Sequence, residues 1–116
     1  MSSAHSQNKD DEIWWQAMLS SLAQLAGSIQ AVSEFCQTRA PSLYQAAAPT
    51  LEKFRETNKE MIRKMETGPD FLAQVSAVKA ELEKVNDVEE TCSTLTGEVR
   101  FASAGFDFYR AGYPGK

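Results

Sequence analysis

The chain has 116 residues, 42% hydrophobic and 24% charged, with a net charge of −4, which suits one domain with a modest core. An acidic balance without clustered Lys or Arg excludes a nucleic-acid surface and gives no pull toward anionic lipid. Two cysteines are too few for a disulfide scaffold.

The opening segment, MSSAHSQNKDDE, is polar and lacks the apolar stretch of a secretory signal. Residues 1–10 are therefore expected to form a disordered arm, and the protein to be intracellular, cytoplasmic or organelle-associated, not secreted. Asp10 and Asp11 offer an N-cap and favourable negative charge for a first helix over 11–38.

Within that helix Trp15, Met18, Leu22, Leu25, Ile29, Val32 and Cys36 alternate at spacings of three and four, the seam of a helix that packs lengthwise on others. No charged residue lies between Glu12 and Glu34. That uncharged length matches the ~20 residues a bilayer requires, but its Gln and Ser side chains would need partners in lipid, so a span is not expected. Ala23, Gly27 and Ala31 make a small-residue stripe roughly opposite the seam, which suits close approach of another backbone. Trp14 points about 100° away from Trp15 and reads as an interface anchor, whereas Trp15 belongs to the seam.

Pro41 starts a second helix over 42–67. Its seam, Tyr44, Ala47, Leu51, Phe54, Asn58, Met61 and Met65, holds across Pro49, so one helix kinked at Pro49 is expected, with a split at Ala48–Pro49 as the competitor. Asn58 on the seam is a candidate for fixing register. Glu52, Glu56 and Glu60, each three residues ahead of a base, mark a solvated face.

Thr67-Gly68-Pro69-Asp70 ends this helix, with Gly68 as a left-handed cap and Asp70 capping the next. A third helix over 70–96 or longer carries Phe71, Val75, Val78, Leu82 and Val85. Beyond Asn86-Asp87 the stripe shifts by one position to Val88, Cys92, Leu95 and Val99, as at a change of packing partner. Residues 105–116, rich in Gly and Pro, are expected to be an extended tail. Residues 101–116 nevertheless hold five of the eleven aromatics, so the tail must dock, on its own helices or on a neighbour.

Chemistry is hard to assemble from these residues. His5 is the sole histidine and lies in the arm, so neither a triad nor a His-rich metal site can form. No phosphate-cradling glycine motif occurs. Asp87, Glu89 and Glu90 read as a solvated acidic patch. Cys36 and Cys92 sit on apolar seam positions and are expected as buried reduced thiols, pairing only if the first and third helices bring them together.

The expected fold is all-α: an antiparallel three-helix bundle, up-down-up, with long coiled-coil-like helices over 11–104 and an extended aromatic tail. The expected function is a non-catalytic structural or scaffolding subunit of a larger multi-protein assembly, without cofactor or metal. Other protein subunits would be held through Trp14, Ala23, Gly27, Ala31, Phe106, Phe108, Tyr109 and Tyr113, with the first helix sandwiched between its own hairpin partner and a foreign helix. The alternatives are a lipid- or granule-surface protein and a small-molecule binder using Asn58 and Tyr44.

Overall fold

The computed structural model describes residues 2–114, with side chains from residue 9 onward. Among the described residues the fold is all-α, with six helices: α1 Ser2–Arg39, α2 Pro41–Thr57, α3 Lys59–Met65, α4 Pro69–Leu82, α5 Val88–Ser93 and α6 Leu95–Gly112. The molecule is elongated, 57 × 26 × 22 Å, because α1 runs most of its length.

The chain reverses three times, once more than a three-helix bundle requires. Helix α1 runs one way and α2–α3 return. Helix α4 runs parallel to α1, with Ser20 bonded to Asp70, Ser28 to Gln74 and Glu34 to Lys79 in rising order. Helices α5 and α6 then come back down. The single third helix expected over 70–96 is broken at Glu83–Asp87. Turn-like hydrogen bonds from Lys84 to Glu81 and from Val85 to Leu82 end α4, and the Asp87 carboxylate caps α5 at Glu90 N–H, 3.0 Å away.

Helix α1 is the hub, packing on every other helix, with α4 on one flank and α2 and α6 on the other. Its uncharged length between Glu12 and Glu34 follows from this position. The two stripes of α1 are both consumed within the molecule, so no foreign helix is needed to complete the sandwich. Leu22, Ile29, Val32 and Cys36 join Ala47, Leu51, Phe54, Leu95, Val99, Ala102 and Phe106 in one core. Ala23 and Ala31 are buried, and a β-carbon at Gly27 would lie 2.8 Å from the Phe71 carbonyl oxygen, so the small-residue stripe is the seat of α4.

Other expectations are also revised. The arm over 1–10 is helical from Ser2 as an extension of α1, since lengthening a formed helix adds a hydrogen bond for each residue fixed; Asp10 and Asp11 are thus interior to α1. Met1 lies outside the described residues. Helix α2 passes unbroken through the exposed Pro49, where water can serve the carbonyl that loses its partner. The break falls instead at Asn58. Gly68 has φ −87° and is the extended N-cap of α4, not a left-handed residue.

The largest correction concerns the tail. Residues 105–112 continue α6, and only Tyr113 turns extended; Gly115 and Lys116 lie outside the described residues. Gly105 and Gly112 do not break the helix because both face α1. A β-carbon at Gly105 would sit 3.0 Å from a Leu22 methyl, and one at Gly112 would sit 2.7 Å from the Trp15 ring. The propensity cost of about 1 kcal/mol per glycine is offset by this contact. Trp15, Leu22 and Cys36 thus meet Gly112, Gly105 and Cys92 in steady antiparallel order.

Candidate interaction face

The returning segment α5–α6 is closed onto α1 differently at each end. At one end Cys36 and Cys92 form a disulfide with Cα atoms 5.7 Å apart, and both residues are buried. Reduced thiols were the expectation. The pairing arises because α5 returns to α1 after the Glu83–Asp87 turn.

At the other end Trp15 packs on α6, stacked on Phe108 at 5.9 Å and edge-on to Tyr109 and Tyr113 at 5.5 and 5.8 Å. The two tyrosine rings stack at 5.1 Å. Burial, then the neighbouring Tyr113, pushes the Tyr109 phenol above its ordinary value. Trp14 meets Trp15 edge-on at 4.8 Å and lies 6.2 Å from Phe108.

The expected interface residues therefore divide. Ala23, Gly27 and Ala31 are covered by α4, and Phe106 is wholly buried against Phe54 at 5.1 Å. Tyr109 and Tyr113 are half-buried in the aromatic cluster. Trp14 and Phe108 stay 52% and 54% exposed, and Phe101, which residue-by-residue reading did not select, is 69% exposed.

Phe101 and Phe108 belong to a second stripe on α6: Gly97, Phe101, Ala104, Phe108 and Ala111, all exposed and spaced alternately four and three. This spacing was legible in the sequence once 97–111 was taken as helix. Leu25 and Ser28 of α1 border the stripe near Phe101 and Gly97, in an open groove of about 500 Å³; Trp14 borders it near Phe108. The five stripe residues carry no charge; Glu98 adjoins them at one end, its carboxylate accepting a hydrogen bond from Thr94 Oγ1 at 2.9 Å. Arg100 and Asp107, each three or four residues from members of the stripe, border it on the side of α2, in a cleft with Lys53 and Thr57.

A second concavity, about 600 Å³, lies between α1, α3, α4 and the end of α6. Leu19, Met61, Met65 and Phe71 give it an apolar floor, with Lys64 and Tyr109 among its lining. Asn58 is not available to a ligand. It is buried, its amide donates to the Phe54 carbonyl at 2.9 Å, and its carbonyl accepts from Arg110 at 2.6 Å. It closes the α2–α3 break and ties it to α6.

Among the described residues no group of three or more His, Cys, Asp and Glu side chains could hold a metal ion, and no helix is long and apolar enough to cross a membrane. The chain matches no protein-family model, no curated protein and no solved structure.

Proposed function

We propose that the protein is a non-catalytic structural subunit that docks on protein partners through the α1–α6 face. The observation that carries this reading is the charge-free stripe of exposed aromatics and small residues on α6, continued by Trp14 on α1. The largest contiguous apolar patch on a monomer, typically several hundred Å², is often functional, and exposed Trp and Phe are the side chains that anchor protein interfaces. The fringe of the stripe on the α2 side holds both Arg100 and Asp107 and is not the row of Lys and Arg that accompanies lipid-binding helices. Of the expected placements, a reducing cytoplasm does not suit the Cys36–Cys92 bond, whereas an oxidising organelle-type compartment does.

A photo-cross-linking residue at Phe101, introduced in the native host, tests the reading. It should capture protein, while the same group at Glu56 on the solvated face of α2 should not. Equal capture at both positions, or none at Phe101, would remove the proposal.

The cleft between α1, α3, α4 and α6 supports a second reading, a small amphipathic ligand held over the methionines. Native mass spectrometry of the gently purified protein should then show a retained small molecule; a bare chain mass would count against it.

A further inference from the structure

Resting on the docking reading above, we infer that the occupant of the α1–α6 face is a second copy of this chain, giving a two-fold dimer in which two α1–α6 pairs form a four-helix layer. Three observations converge on this occupant.

The first is charge. The protein carries a net −4, so two copies repel wherever their charged faces meet. The solvated acids and bases of α2 and α3 lie on other sides of the molecule. The α6 stripe is uncharged and is bordered on its α2 side by Arg100 and Asp107, which are of opposite sign, so two identical surfaces meet there with little like-charge cost.

The second is the order of residues along the stripe. Small and large side chains alternate as Gly97, Phe101, Ala104, Phe108 and Ala111. About a two-fold axis between Ala104 and Gly105, an antiparallel copy brings Phe101 of one chain to Phe108 of the other, and Gly97 to within one residue of Ala111. Each aromatic pair occurs twice, as an isologous interface requires, and small residues oppose small ones so that the backbones can approach. The stripe runs about 20 Å at 1.5 Å per residue. With α1 beside it, two faces cover on the order of 1,000 Å², near the lower bound for a specific interface.

The third is Gly97. At Gly27, Gly105 and Gly112 a β-carbon would meet a neighbouring atom within 3.0 Å, whereas at Gly97 nothing lies within 4 Å. Gly97 lies in the first turn of α6, where a glycine costs less than the ~1 kcal/mol of a helix interior, and no close contact inside this chain calls for it. A helix of the second copy crossing there does.

The test is sedimentation equilibrium of the oxidised full chain from micromolar to submillimolar concentration. The expected species has twice the 12.8 kDa chain mass. Phe101→Glu, at a side chain that is mostly solvent-facing, should weaken the dimer by at least about thirtyfold, the scale of losing an anchor residue, with an unchanged helical spectrum. Gly97→Ala should weaken the dimer while raising the melting temperature measured on dilute monomer, a combination that damage to the fold cannot produce. A monomer at every concentration, or a dimer indifferent to both substitutions, overturns the inference. If the wild-type chain is monomeric yet the cross-linker at Phe101 captures a different protein in the host, the second copy is excluded and the docking reading survives. If it captures nothing, both fall.

Discussion

A single β-carbon distinguishes the kinds of close contact in this molecule. At Gly27 the obstacle to a side chain is the Phe71 carbonyl oxygen, part of a helix backbone that cannot move alone. At Gly105 it is a Leu22 methyl, which can swing aside. Gly27→Leu is therefore expected to lower folding stability by at least roughly 2 kcal/mol. Gly105→Ala should stay within about 0.5 kcal/mol of wild type, because helix propensity offsets the crowding. Urea unfolding of the two variants decides this, and equal losses would contradict the distinction. Glu34 makes a second residue-scale case. A hydrogen bond from Gln30, then Lys79 at 3.2 Å, holds its carboxyl below the ordinary 4.5 against the upward push of partial burial. A depressed folded value means that its stabilisation is complete above 4.5 and disappears as pH falls through the lowered value. Glu34→Gln should accordingly cost a little stability at neutral pH and nothing in strong acid, read from melting temperature against pH. The need for close approach at Gly27 was legible in the sequence. Which chain supplied the approaching backbone was not, because a glycine accommodates an intramolecular and a foreign helix alike.

The same division appears among the elements. Three-four spacing located α1, most of α2 and the buried side of α4, since each places a stripe of apolar residues on one face. The one-position shift after Asn86-Asp87 marked a change of packing partner, and it coincides with the chain reversal: α4 packs on α1, whereas α5 and α6 reach both α1 and α2. Its magnitude, a full turn of the chain, was hidden because helix formers such as Glu83 and Lys84 fill the bend. Gly105 and Gly112 misled in the opposite direction, since glycine breaks a helix only where no contact repays the lost propensity. The disulfide depended on that reversal. It closes a separation of 56 residues, a loop for which chain entropy gives about 4 kcal/mol of stabilisation. Cys36→Ala combined with Cys92→Ala should lose roughly 2–5 kcal/mol, and reductant should lower the wild-type melting temperature without affecting the double variant. A reductant-insensitive wild type would mean that the bond is absent in solution.

At the scale of the whole molecule, α1 explains why composition alone was misleading. An uncharged helix surface in a small acidic protein suggests either lipid or a foreign subunit, yet most of this one is enclosed by α4, α2 and α6. What remains uncovered is the strip beside α6, and its chemistry sets the thermodynamics of anything that docks there. Contacts between charged surfaces weaken steeply as salt rises to about 1 M, where screening acts over ~3 Å. Apolar contacts do not, and excluded salts such as sulfate strengthen them. Association through this face should therefore change its dissociation constant by less than about threefold between low salt and about 1 M sodium chloride. It should tighten in sulfate and show a negative heat-capacity change by calorimetry. The rims behave differently: Arg100 and Asp107 on one side, and the charged surfaces of α2 and α3 beyond, would give a salt-sensitive encounter. A dissociation constant that rises by orders of magnitude with salt would place the contact on those rims and leave the stripe of Phe101 and Phe108 without a partner.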